Sequence, residues 1–429
     1  MKQRFDAIVV GAGPAGSACS YTLAKAGLKT LLVERGKYPG AKNMWGGAFY
    51  GPTMSQLFPY FWEEAPVERY ILRHRFSLLT ENASLSAEFT TERFKEKPHC
   101  GFTLLRSRFD RWFASKAEQA GAIVASGLQA EDLLWDKNQV SGIKAGGDEI
   151  SANVVIACDG VNSILAEKAG LRKKLLPGQV KLGVKEIIQL PRKVIEQRFN
   201  LCGDEGIAWE FIGTFTQGIP GGAFIYTNEK SLSVGIVVQL AALGERNVRA
   251  NEFLEEFKKH PEVKFFLVDG ELVEYSSHLV PAYGKAGVPS LYTDGFLVAG
   301  DAASLTLTTG LTLEGANFAV ASGVAAAETV IRAKQKGDYT RKTLSSYKEK
   351  LAQSFVLKDL KTFRKAPAFL ENTRLYKQYP ELVCDLAEKI FTNDGRPRKK
   401  IWKMIQESME GKVSFRQMIQ DLIRAKRAL

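Results

Sequence analysis

Residues 5 to 34 constrain the fold of this chain more than any other stretch. Phe5-Asp6-Ala7-Ile8-Val9-Val10 is an apolar run of strand length that feeds directly into Gly11-Ala12-Gly13-Pro14-Ala15-Gly16. The spacing predicts a helix from Pro14 to about Ala26 and a second strand from Lys29 to Val33, ending at Glu34. In this register the strands, glycine turn, helix and acid each have a physical task in holding a dinucleotide. Gly11 makes the tight turn, and Gly13 lets backbone amides approach a pyrophosphate with no Cβ in the way. Gly16 lets the helix lie close on the strand. The helix N-terminus adds partial positive charge and unpaired N–H groups. Pro14 suits the first helical turn, where its missing N–H is not needed. Gly11, Gly13, Pro14, Ala15 and Gly16 are therefore the candidate phosphate contacts. The Glu34 carboxylate is placed for an adenosine ribose and would repel a 2′-phosphate. A GxGxxG alone is weak evidence; the flanking pattern carries it here, and it leaves FAD and NAD both open.

At 429 residues the chain is long enough for two or three domains with a self-sufficient core. Its 45% apolar and 25% charged residues are those of ordinary globular protein. No run of 18 apolar residues occurs, and the N-terminus enters a strand directly, so neither a membrane span nor a signal peptide is expected. The five cysteines are far apart, with no CxxC spacing. That argues against a disulfide framework, a metal site or an iron–sulfur cluster, and for a reducing, cytoplasmic setting. Net charge is +12, and residues 395 to 429 hold ten Lys/Arg against three Asp/Glu, so +7 of it lies in the tail. Nucleic acid is not among the expected partners.

Beyond Glu34, Arg35 to Asn43 is a loop by its Gly and Pro content, and Met44-Trp45-Gly46-Gly47-Ala48 follows. It is either a plain surface loop or a loop over a flavin ring, with Lys42 or Asn43 near the ring's polar edge. Leu104 to Phe113 opens an amphipathic helix running to about Gly121. Arg106 sits at the strand-to-helix junction, within reach of a phosphate or a flavin unless it is simply solvated. Gly121 to Leu134, Val140 to Ala145 and Ile150 to Ala157 read as strands. The last ends at Cys158-Asp159-Gly160, an acid and a glycine at the carboxyl end of a buried strand, where ligands sit in α/β folds.

From about 181 to 275 the pattern becomes antiparallel, with a hairpin of 222–227 and 231–239 and a helix from Asn251 to Lys259. A buried strand then ends in Gly300-Asp301-Ala302-Ala303. Thr308-Thr309-Gly310 follows, and Glu314-Gly315-Ala316-Asn317 opens a small-residue helix reaching Arg332. Asp301 suits a ribityl hydroxyl, and amides at the start of that helix suit the pyrimidine edge of a reduced flavin. Three strand-end sites on one sheet favour FAD over NAD. No second GxGxxG unit supplies a separate nicotinamide domain.

These residues resemble a known family, the electron-transfer flavoprotein:quinone oxidoreductases, and within it the short FixC-type subunits of nitrogen fixation. The resemblance runs through nearly the whole chain. It includes Val9-Val10-Gly11-Ala12-Gly13-Pro14-Ala15-Gly16, Leu32-Val33-Glu34-Arg35-Gly36, Tyr38-Pro39-Gly40 and Lys42-Asn43. It continues through Arg106-Ser107-Arg108-Phe109-Asp110-Arg111-Trp112-Phe113 and Gly300-Asp301-Ala302-Ala303. Those glycine and acid elements are shared by a wide flavoprotein superfamily. Phe199-Asn200-Leu201 with Gly203-Asp204-Glu205-Gly206, and Phe224-Ile225-Tyr226-Thr227-Asn228, are much narrower.

The resemblance implies an α/β fold with a Rossmann-like FAD-binding domain of the glutathione-reductase/hydroxybenzoate-hydroxylase type. That domain would take residues 1–75, 102–180 and 275–345. An inserted antiparallel, β-rich substrate or quinone domain would take 76–101 and 181–274, and a helical C-terminal region 346–429. FAD would be bound non-covalently. Arg35, Lys42, Asn43, Gly46, Gly47 and Arg106 join the residues above as contacts, with Asp159, Gly160, Gly300, Asp301, Gly310, Gly315, Ala316 and Asn317. Phe224 and Tyr226 either wall an apolar pocket facing the flavin or are ordinary sheet core.

The implied activity takes electrons from reduced electron-transfer flavoprotein toward quinone, with no catalytic side chain and no metal from the protein. Longer relatives carry four cysteines near the C-terminus for a [4Fe–4S] cluster, whereas this chain has only Cys384 there. The short subunits match that absence and work with a separate ferredoxin-like iron–sulfur protein. The runner-up is an FAD-dependent prenyl reductase of the geranylgeranyl type acting on a lipid C=C bond. A hydroxylase is disfavoured because Ser304, Leu305 and Thr306 follow the Gly-Asp-Ala-Ala, where such enzymes have His and then Pro.

In the tail, Ile401, Trp402, Met404, Ile405 and Met409 precede a break at Gly411. A second stripe follows at Phe415, Met418, Ile419, Leu422 and Ile423, which is amphipathic helix spacing. Either both stripes pack on the chain's own domains, or this basic end meets an acidic partner or the anionic inner face of the cell membrane.

Overall fold

The computed structural model describes residues 4–42, 47–97, 101–282, 284–310 and 312–429. Its first sheet is built on the glycine-turn unit. Phe5–Val10 lies between Asp148–Ala157 and Thr30–Glu34, with Phe296–Val298 beyond the former and Ile123–Ser126 beyond the latter. All five are parallel. Central parallel strands are buried on both faces, and the continuous apolar runs Ile8-Val9-Val10, Leu31-Leu32-Val33 and Val154-Val155-Ile156 meet that demand. Helix Pro14–Lys25 packs between helices Arg106–Gln119 and Ala316–Lys336. It approaches the latter so closely that a Cβ on Gly323 would sit 2.1 Å from the Ala15 carbonyl oxygen.

Between the outer strands and the centre, the single strand expected over 121–134 is two, Ile123–Ser126 and Ala130–Asp136. Gly127, at φ +75°, turns the chain between them. Ala130–Asp136 and Gln139–Ala145 then lead antiparallel into the start of Asp148–Ala157.

The second sheet runs in the order Glu271–Pro281, Val180–Gln189, Ser231–Gln239, Gly221–Thr227, Glu205–Gly213, Val67–Leu79, Gly101–Leu104, Ala48–Tyr50. It thus draws strands from 48–79 and from 271–281 as well as from the stretch read as antiparallel. The hairpin of Gly221–Thr227 and Ser231–Gln239 forms in register. Among the described residues of this sheet, only Glu205–Gly213 and Val67–Leu79 pair in parallel.

Side chains alternate across each strand. Trp209, Phe211, Ile225, Val234 and Ile236 pack with Phe253, Leu254 and Phe257 of helix Ala250–Lys259. Glu210, Phe224, Tyr226 and Lys185 take the opposite face, turned toward the first sheet. From Arg341 to Ala428 the chain forms a series of short helices, with helix-free stretches at 392–400 and 410–414.

Arg69 explains the two narrow sequence segments. Its buried guanidinium donates to the carbonyls of Gly203 (2.9 Å), Glu205 (2.9 Å) and Asn228 (2.7 Å). One side chain therefore ties Gly203-Asp204-Glu205-Gly206 to the end of Phe224-Ile225-Tyr226-Thr227-Asn228. Removing it strands several carbonyls away from water. Arg69→Met should lower stability by about 3 kcal/mol, read as a fall in Tm; an unchanged Tm would show that this tie contributes little.

Candidate cofactor cleft and the pocket beside it

The carboxyl ends of the parallel strands converge on one cleft of about 1520 Å³, counting its open mouth. Gly11, at φ +101°, lets the first turn close: a Cβ there would sit 2.3 Å from the Cys158 carbonyl oxygen. Gly16 does the same for the helix, since its Cβ would meet the Gly11 carbonyl oxygen at 1.8 Å. Gly11, Gly13, Pro14 and Ala15 then line the cleft where the helix begins. Glu34 stands at one end, its carboxylate accepting from the N–H groups of Ala12 (3.0 Å) and Gly36 (2.6 Å). Arg35 lines the same end.

Two further acids face inward. Asp159 Oδ2 accepts from the Leu165 N–H at 3.3 Å, while Oδ1 is buried with no hydrogen-bond partner among the described residues. Burial pushes the Asp159 carboxyl up to about 6. Asp301 is likewise pushed up to about 6 by burial, against the pull of Arg106. A bare buried acceptor beside a helix N-terminus and a glycine turn is a site for a hydroxyl-bearing, phosphate-bearing ligand. Lys42, Arg106, Gly160, Gly315 and Ala316 complete the expected lining. Arg106 is held by a two-pronged pair with buried Asp110, both contacts 2.7 Å.

Other expected contacts do not line the cleft. Gly16 works in packing. Gly47 is buried just before strand Ala48–Tyr50. Gly300 donates its N–H to Ser322 Oγ at 2.9 Å, and Gly310 lies against Leu370. Asn317 donates to Glu314 Oε2 at 2.6 Å, placing Glu314 itself at the wall. Asn43 and Gly46 lie outside the described residues.

The cleft also takes Leu128, Gln129 and Ala130, which follow the turn at Gly127. Leu128 donates its N–H to the Glu34 carbonyl at 3.0 Å, and Ser126 registers with Glu34. Extending the strand-end rule to Ile123–Ser126 would have found them.

A second cavity, about 600 Å³ with its open mouth counted, adjoins the first and shares His278, Val280 and Leu313 with it. Phe224 and Tyr226 form its wall, their rings stacked at 4.8 Å and 18°. Tyr50, Lys185 and Glu210 also face it. Burial pulls the Lys185 ammonium down to about 8 and the His278 imidazole down to about 4, with Arg106 adding to both. Sequence reasoning missed these groups. The one signal was polar residues at alternate positions in apolar strands, as in Ala208-Trp209-Glu210-Phe211.

Residues 4–355 match the FAD binding domain family, and residues 366–429 match the ETF-QO/FixC family C-terminal domain. The chain is 42% identical over 426 residues to the probable electron transfer flavoprotein-quinone oxidoreductase YdiS of Escherichia coli K12, covering 99% of each. It is 39% identical over 434 residues to the protein FixC of Bradyrhizobium diazoefficiens, covering 100% of this chain and 99% of that one.

The chain belongs to the ETF-QO/FixC family. It is an FAD-binding oxidoreductase, which resolves the choice of dinucleotide that the glycine turn left open. Among solved structures, a geranylgeranyl bacteriochlorophyll reductase-like protein of Thermoplasma acidophilum superposes with TM-score 0.74 at 21% identity, covering 99% of this chain and 100% of that one. The flavin-dependent brominase Bmp2 superposes with TM-score 0.66 at 15% identity, covering 98% and 100%. At such identities these two show the shared fold. No helix among the described residues is long and apolar enough to cross a membrane.

Gly13→Val should place methyl groups in the pyrophosphate path and yield colourless protein, checked by flavin absorbance per chain; normal flavin content would move the phosphate elsewhere. Hydroxyl donors from FAD would stabilise the ionised forms of Asp159 and Asp301 and so lower their pKa values. FAD affinity should therefore weaken as pH falls through about 6. Ultrafiltration of holoprotein across that range, with free FAD measured, checks this.

Proposed function

We propose that this protein takes electrons from a reduced electron-transfer flavoprotein and passes them toward a quinone. The observation that carries the reading is the second cavity: an aromatic-walled space sharing three lining residues with the FAD cleft. In this reading the turn at Gly11 to Ala15 holds the pyrophosphate, Glu34 the adenosine ribose and Asp301 a ribityl hydroxyl. The amides of Gly315 and Ala316 would hold the pyrimidine edge of the ring, with Lys42 and Arg106 lining the same cleft. Bound FAD supplies the ability to accept electrons in pairs and release them singly or in pairs. The chain's own residues orient it and seat the acceptor against Phe224 and Tyr226.

The tail supports a separate protein partner. The last helix, Phe415–Ala428, buries Asp421 and Ala428, and Asp421 receives Arg374 at 2.7 Å through both oxygens and the Tyr379 hydroxyl at 2.8 Å. The apolar stripe faces outward, with Phe415 53% and Leu422 62% exposed. Its surroundings are basic. An acidic ferredoxin-like iron–sulfur protein fits this surface: it would cover the apolar stripe and complement the charge.

Anaerobic mixing tests the main reading. Flavin reduction by reduced electron-transfer flavoprotein, with none by NADPH alone, is expected; fast reduction by NADPH would favour a lipid reductase instead. For the tail, Leu422→Glu with Ile423→Glu should leave FAD content intact and abolish salt-sensitive binding of a ferredoxin-like protein. Loss of anionic-liposome binding instead would place this surface on a membrane.

A further inference from the structure

A sheet face that closes onto another domain is ordinarily apolar, and a carboxyl group there is costly unless something uses it. Glu210 breaks that rule. It stands on Glu205–Gly213, directly opposite Phe224, which in turn is opposite Gly235, and Gly235 is opposite Lys185. A Cβ on Gly235 would lie 2.5 Å from the Phe224 ring, so the ring occupies the space over this glycine and makes a floor. Tyr226, stacked on Phe224, lines the same cavity as Glu210, and its hydroxyl acts on that carboxyl. The row therefore ends in a carboxyl group at the wall of the cavity that borders the FAD cleft.

We propose that Glu210, positioned by Tyr226, is a catalytic acid that donates a proton to a carbonyl oxygen of a quinone ring lying on Phe224. This rests on the quinone reading above. Turning a quinone into its hydroquinone adds two electrons and two protons, and both C=O groups become C–OH. The electron pair and one proton would come from reduced FAD held in the adjoining cleft. The second proton comes from Glu210: its O–H bond breaks as one forms on the ring oxygen, and the carboxylate left behind is reprotonated from water.

Burial pushes the Glu210 carboxyl up to about 8, with Tyr226 pulling the other way, so the acid form is available at neutral pH. The other titratable groups facing this cavity are Tyr50, Lys185 and His278, and Glu314 acts on Tyr50 from the cleft side. Lys185, a cation on the same sheet face, stands three strands away from Glu210. The phenol of Tyr226 is pushed well above its ordinary range by burial and the adjacent carboxyl, so it stays a hydrogen-bond donor.

The test compares FAD-loaded wild type, Glu210→Gln and Tyr226→Phe, each reduced with dithionite and reoxidised by menadione or by ferricenium, which takes electrons without protons. Infrared spectra follow the carboxylic C=O band through a pH titration. In wild type the menadione rate should fall as pH rises through about 8, together with loss of that band. Glu210→Gln should lose band and pH break, and its menadione rate at neutral pH should drop about 100-fold. Its ferricenium rate should match wild type. Tyr226→Phe removes a hydroxyl that favours the carboxylate, so the break should move to higher pH.

A menadione rate and pH profile in Glu210→Gln equal to wild type would overturn the role of Glu210, as would a break that stays in place in Tyr226→Phe. Wild-type protein that neither binds nor is reoxidised by menadione would instead overturn the quinone reading itself.

Discussion

The rest of the molecule depends on how closely the first turn approaches the end of the neighbouring strand. Gly11 passes the Cys158 carbonyl with no room for a Cβ, and Gly16 seats the helix on Gly11 in the same way. Those contacts set where Pro14–Lys25 lies, and Gly323 then sets where Ala316–Lys336 lies against it. Because protein interiors are packed without slack, one such approach propagates into the placement of each strand end around the cleft. Gly300 joins the same chain, its added Cβ meeting Ala15 at 2.9 Å. The glycine serves packing here; its neighbour Asp301 supplies the cleft's carboxyl.

The second sheet separates stability from chemistry by the alternation of its strands. One face buries Trp209, Phe211 and Ile225 against helix Ala250–Lys259, and this apolar contact holds the sheet. The other face is thereby left to carry Lys185, Glu210 and Tyr226. Arg69 locks the two faces into one register by binding three carbonyls from two loops. A slip of one residue would exchange the faces and send the polar groups into the apolar core.

The last helix shows the opposite arrangement. Helices on a protein surface normally turn their apolar stripe inward. In Phe415–Ala428 an ion pair through Asp421 holds the helix, and the stripe stays in solvent. Periodicity alone predicts such a stripe without saying which way it faces. That is decided by Arg374 and Tyr379, which are distant in sequence and adjacent in space.

The sequence by itself determined the strand–turn–helix–strand unit, the switch to antiparallel strands after about 180 and the helical end. It also placed Gly11, Glu34, Asp159 and Asp301 at strand ends. Each of those is a local pattern, readable because a parallel strand must be apolar and a tight turn must be glycine. Only the tertiary structure decided that Gly310 and Asn317 do not line the cleft, and that Glu210 and His278 meet at the neighbouring cavity. Those outcomes depend on register between strands far apart in the chain. Register is a property of paired backbones and of the side chains that lock them, and no single stretch of sequence contains it.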